Sequence, residues 1–234
     1  MFPPVRTFAL WRARFSSAAA AAGVVVLLSA CGGGGGTDNT NTYNLDAAIT
    51  RALVNGVELN GLTGSFGGVG FTLSMRYTPL PDAVFEGATR KAVRQTVTIA
   101  GSGSTETTSA VMHFNVSPYA DAGTVFDDGS VEVAVPTGTL PTAAQVGSSG
   151  PLSTSTTYAD ATKSVTIATT TSTWSLDADD ESGTTALACL RAQVRESGVP
   201  APMAGRICLR IDTAGDVQGG VVQISSEGIT IEFR

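Results

Sequence analysis

One histidine and three cysteines are the side chains of this 234-residue sequence best suited to nucleophilic or redox chemistry. Any Ser-His-Asp relay would have to use His113. That residue lies mid-strand in "SAVMHFNV", directed opposite to Met112 and Phe114, which reads as a solvent-facing position and not a catalyst. No G-x-S-x-G elbow, H-E-x-x-H helix or phosphate-binding loop accompanies it. Cys189 in "TTALACLRAQV" and Cys208 in "GRICLRIDT" sit in two stretches of apolar alternation. The connection between them carries Pro200, Pro202, Gly198 and Gly205 and suits a loop. Two strands joined that way pair antiparallel and bring the sulfurs together. A disulfide is therefore expected, with free thiols as the alternative. Metal binding by the cysteines is disfavoured by the lone histidine and the lack of a C-x-x-C.

The densest acidic run is "LDADDESG", with Asp177, Asp179, Asp180 and Glu181. Its alternate oxygens suggest a calcium loop, but an EF-hand needs glycine at the sixth position and glutamate at the twelfth. Here those positions are Ser182 and Ala188. Asp177, Asp179 and Glu181 remain weak metal candidates, and a solvated turn is the better reading. No catalytic residue and no cofactor is expected.

These residues need a scaffold, and the periodicity says β. Phe71, Leu73, Met75 and Tyr77 alternate with Thr72, Ser74, Arg76 and Thr78. Val93, Val97 and Ile99 share one side of "AVRQTVTIA"; "GSGS" at 101–104 turns the chain, and Met112, Phe114 and Val116 return. "TVFDDGSVEVAV" reads as a second hairpin with Gly129 in its turn. Further strands are expected at 152–158, 163–176, 186–194, 206–212, 219–225 and 229–234. The Thr-rich "TIATTTSTWS" suits a half-exposed strand; flat threonine arrays on several strands can bind ligands, but only one shows. Trp174 is expected in the core, against the disulfide. "NLDAAITRALVNG" places Leu45, Ile49, Ala52 and Leu53 on one helical stripe, with Asn44 or Asp46 as N-cap and Gly56 as C-cap, a strand being the alternative. The fold class is all-β: an antiparallel β-sandwich or small sandwich-like barrel with one short N-terminal helix.

The beginning of the chain has another character. Residues 1–30 carry Arg6, Arg12 and Arg14, no acid, and an apolar run from Ala18 to Leu28. That run is shorter than the about 20 residues of a membrane-spanning helix and reads as a signal peptide. Leu28-Ser29-Ala30-Cys31 resembles the lipobox of bacterial lipoproteins. The resemblance implies cleavage before Cys31, lipidation of its thiol and a membrane anchor. Gly32 after the cysteine, where Asp would imply inner-membrane retention, implies the outer membrane. Residues 31–43 read as lipidated cysteine plus a Gly-rich tether with an r.m.s. reach of roughly 20 Å. Residues 44–234 read as one domain, with 136–151 the best candidate sub-boundary.

Charge narrows the partners. The 14 basic residues less the three of the signal leave 11 against 20 acids, a net charge of −9. Such a chain repels phosphate backbones, so nucleic acid is not expected. Arg90, Lys91 and Arg94 are the densest basic spot and read as a solvated strand face. The aromatic content of 6% leaves no girdles for a lipid-facing barrel, even though Phe233 sits next to the end. The expectation is a lipid-anchored lipoprotein of the bacterial envelope, on the periplasmic or surface face. It would act as a non-enzymatic binding or assembly module for an envelope protein or small ligand. A hydrolase with an unrecognised site and a calcium-stabilised adhesin are the alternatives.

Overall fold

A computed structural model describes residues 40–179, 184–199, 202–226 and 228–234. The segment expected to be a signal peptide, Cys31, and Asp180 and Glu181 of the acidic run lie outside them.

The helix forms where its stripe predicts. α1 spans Leu45–Asn55, and Asn44 Oδ1 accepts from Ala47 N at 2.9 Å, which satisfies one of the free amides of the first turn. Gly56 ends it with φ +83. Leu45, Ala48, Ile49, Ala52 and Leu53 are buried. The other capping candidate, Asp46, instead accepts from Tyr119 N at 2.7 Å and ties the helix to the sheet.

Twelve strands follow: β1 Val57–Phe66, β2 Val69–Phe85, β3 Ala88–Gly101, β4 Ser104–Val116, β5 Tyr119–Phe126, β6 Val131–Pro136, β7 Ser149–Tyr158, β8 Thr166–Ala178, β9 Thr185–Glu196, β10 Met203–Asp212, β11 Val217–Ser226 and β12 Ile229–Phe233. Each pairs antiparallel with its sequence neighbours, in the order β1 through β12. The sheet curls until its ends meet. Thr63 N donates to Arg234 O at 2.8 Å, and Arg234 N donates to Thr63 O at 3.1 Å. Gly64 permits this approach: a Cβ there would lie 2.6 Å from Glu232 O. The all-β expectation is met as a nearly closed barrel, and curling leaves little free edge for a second chain to pair with. The candidate boundary at 136–151 is the β6–β7 connection within this one sheet.

Alternation sorts the side chains into two walls. Leu73, Met75, Val93, Val97, Met112, Phe114, Leu190, Ile207, Val222, Ile231 and Phe233 belong to one continuous inner core with the helix. Fully burying each such side chain contributes about 1.5–3 kcal/mol. The helix closes one mouth. Beyond the Tyr119 contact, Leu45 N donates to Pro141 O, Thr50 Oγ1 to Val116 O, Tyr43 OH to Thr184 O and Arg51 Nη1 to Ala214 O. These acceptors lie at the end of β4 and in the connections after β6, β8 and β10. Arg76, Arg94, Thr96 and Thr98 lie on the other, solvent-facing wall.

Two sequence readings change here. Trp174 packs against the inner core, whereas Cys189 and Cys208 form a separate outer cluster with Val221 and Leu187. Trp174 pairs with Leu190, one residue out of phase with Cys189, so the pleat sends ring and sulfur to opposite walls. His113 does face away from Met112 and Phe114, but it is only 6% exposed. The reason is β2, which runs through Pro79 and Pro81 to Phe85 and folds its tip over the outer wall. The Phe85 ring stacks on His113 with centroids 4.5 Å apart and planes at 9°.

Candidate functional site

The outer wall of β8–β11 carries a groove of about 400 Å³. Register builds it from two rows of side chains crossing four strands. The first row is Thr173, Arg191, Arg206 and Gln223, each directly opposite the next. The second, two residues along, is Thr171, Gln193, Ala204 and Ser225. Ala204 and Gly205 are short, so the longer side chains around them stand as a rim.

Arg191 and Arg206 are like charges at directly opposed positions, an arrangement that destabilises a sheet. One carboxylate serves both. Asp177 Oδ2 accepts from Arg191 Nη2 at 3.1 Å and from Arg206 Nη2. Two guanidiniums against one carboxylate leave the groove locally positive in a chain rich in acids. Arg206 Nη2 also reaches Cys189 Sγ at 3.1 Å, while its Nε is buried without an acceptor among the described residues. Gln193 and Gln223 make no side-chain hydrogen bond to any described residue, so their amides are available to a ligand. At the far end, Arg210 Nε donates to Asp179 Oδ2 at 2.8 Å.

The next row toward that end is Ser175, Cys189, Cys208 and Val221. Cys189 and Cys208 are direct partners, with Cα atoms 3.9 Å and sulfurs 2.19 Å apart, a disulfide-forming pair as the alternation of the two segments predicts. Of the weak metal candidates, Asp177 and Asp179 are held by arginines, and Glu181 lies outside the described residues. Cys31 lies outside them too. The threonine array also differs from expectation: β7 supplies a second rank, with Thr154 opposite Thr171 and Thr156 opposite Thr169 on the outer wall.

The inner wall holds polar groups that the sequence reading missed. Ser155, Thr157, Thr170 and Ser172 are buried on the β7–β8 stretch. Glu132 accepts from Thr157 Oγ1 at 3.5 Å and Thr170 Oγ1 at 3.4 Å. Asp121 accepts from Gly123 N at 3.1 Å. Burial raises the carboxyl pKa of both above the ordinary range, and the charge of Asp121 raises that of Glu132 further. Gln95 Nε2 donates to Tyr77 OH at 2.8 Å, and burial drives the Tyr77 and Tyr119 hydroxyls upward. Serine and threonine fit either face of a pleated sheet, so alternation alone carried no signal for this wall. On the outer wall, the Nδ1 of His113 is buried without a partner among the described residues, and desolvation lowers the imidazole pKa.

No protein family, curated protein or solved structure matches the chain, so the site is read from its own geometry.

Proposed function

We propose that this protein is a lipid-anchored lipoprotein of the bacterial envelope, tethered through Cys31, whose barrel is a non-enzymatic binding module. The groove over β8–β11 carries the reading. It is concave and polar, it gathers side chains from four strands, and its arginines and carboxamides have donors without an acceptor among the described residues. The Leu28-Ser29-Ala30-Cys31 stretch and the Gly-rich run after it support the anchor. A tether with a reach of roughly 20 Å leaves the barrel clear of the headgroups, with its outer wall facing water.

Two measurements test the two halves. Cys31→Ser should block incorporation of labelled palmitate and release the protein from membranes under a carbonate wash. Retention of the variant in the washed membranes would end the anchor reading. For the module, a photoreactive residue at Gln223, in the rim of the groove, should capture a bound molecule in intact cells. The same group at Thr98, on the far side of the outer wall, should capture none. Equal capture at both positions would remove the groove as the binding surface.

A further inference from the structure

We infer that the groove takes a carboxylate-bearing saccharide, an inference that rests on its being the binding surface proposed above. The charge pattern comes first. Arg191 and Arg206 are opposed across β9 and β10 and share the single carboxylate of Asp177. The pair therefore has one anion fewer than it has cations. A ligand carboxylate entering the groove supplies the second, and the planar guanidinium presents paired N–H groups that match two carboxylate oxygens. Arg191 is half-exposed and free to turn toward it.

The rest of the lining says what the carboxylate is attached to. Thr171, Thr173, Gln193, Gln223 and Ser225 flank the arginines, and the floor is alanine and glycine. No large apolar or aromatic side chain lines the groove, so an apolar ligand or the side chains of a peptide find nothing to pack against. Carboxamides offer both donors and an acceptor, and hydroxyls can do either. Two such amides, Gln193 two residues along the strand of Arg191 and Gln223 opposite Arg206 on the next strand, without side-chain partners among the described residues, match ring hydroxyls spread over several ångströms. A volume of about 400 Å³ is at the small end of ligand sites and suits a short segment of such a chain, not a folded partner.

The test uses the full-length protein in detergent and calorimetric titration with digalacturonate, maltose as the neutral counterpart, and inorganic phosphate. Digalacturonate should bind, at least tenfold more tightly than either maltose or phosphate. Arg191→Gln removes one of two opposed like charges and should keep the fold while weakening digalacturonate at least tenfold. Gln193→Ala with Gln223→Ala should weaken it about threefold or more with the carboxylate preference retained. Equal affinity for maltose, phosphate binding as tight as digalacturonate, or no heat with digalacturonate at millimolar concentration would each overturn the inference. In-cell capture at Gln223 separates the two levels: a non-saccharide molecule captured there, with digalacturonate silent, sinks the ligand class and leaves the binding module standing.

Discussion

Arg191 and Arg206 face each other across neighbouring strands, and Asp177, from a third strand, is the carboxylate that holds them together. The three side chains form a cross-strand triad on the outer wall, with Asp177 part-buried beside the disulfide-forming pair. Removing the carboxylate converts a bridged pair into bare repulsion. Asp177→Asn should lower the unfolding free energy by about 1 kcal/mol in dilute buffer, the scale of a surface ion pair. Urea titration should show much of that loss recovered in molar salt, where the screening length falls to about 3 Å. A loss that salt does not change would mean that Asp177 acts by packing and not by charge.

The Cys189–Cys208 link closes a loop with a sequence separation of 19. Its reduction should cost about 3 kcal/mol through the greater freedom of the unfolded chain. The double variant Cys189→Ala/Cys208→Ala should unfold at correspondingly lower urea, and reductant should then have no further effect on it. Mass spectrometry of unreduced peptides from protein purified without reductant should show the two cysteines joined.

His113 makes the outer wall sensitive to acid. Its folded-state pKa lies below the ordinary 6.5 because burial under Phe85 disfavours the cation. The unfolded chain therefore binds the proton first. Stability from this group is full above about pH 6.5 and is lost as pH falls below it. His113→Phe, which keeps a ring for Phe85 to stack on, should flatten that stretch of the stability–pH profile. An unchanged slope between pH 7 and 5 in the variant would assign the acid sensitivity elsewhere.

The inner-wall carboxyls act with the opposite sign. Glu132 and Asp121 have folded-state pKa values above their unfolded ones, so the folded protein holds the protons more tightly. Ionisation then opposes folding, and that cost diminishes as pH falls through the raised pKa values. Glu132→Gln should stabilise the protein at neutral pH by about 1 kcal/mol, and the gain should vanish in acid. A destabilising Glu132→Gln at pH 7 would mean that the ionised carboxylate has a structural partner that the amide cannot replace.

Gly123 tests the tip of β2–β3. A Cβ built there would lie 2.1 Å from Glu132 O and 2.9 Å from two atoms of the Phe85 ring, at φ +141. Gly123→Ala should therefore cost about 3 kcal/mol and lift the tip. Proteolysis within residues 83–91 should rise in the variant and not in the parent.

The sequence carried most of the sheet because so much of it is local. The alternation from Phe71 to Tyr77, the turns at 101–104 and 126–130 and the stripe from Leu45 to Leu53 are each decided by residues within one element. What it hid depends on register or on distant chain. β1 shows little alternation because "VELNGLTGSF" is glycine-interrupted, and β2 runs beyond the alternating Phe71–Thr78 stretch through Pro79 and Pro81, residues uncommon inside a strand. Gln95 shares the face of Val93, Val97 and Ile99, and alternation does not show that Tyr77 OH accepts from it inside the barrel. The groove was illegible for a plainer reason. That Arg191 meets Arg206 follows from pairing Cys189 with Cys208, two steps further along the same ladder, and only assembled strands show what lies between them.

The closure between Thr63 and Arg234 sets an order of events. Ten of the eleven connections between successive strands are short turns, and only β6 and β7 are joined by a longer segment, so the sheet can grow by successive hairpins with little loop entropy at most steps. Joining β1 to β12 is different: it links segments from opposite ends of the sheet, through one reciprocal pair of bonds where the other ladders carry several pairs each. It is the seam of the garment, sewn last and first to part. Amide exchange at Thr63 and Arg234 should then outpace that of β9 and β10, and the barrel would breathe along a line set by chain connectivity.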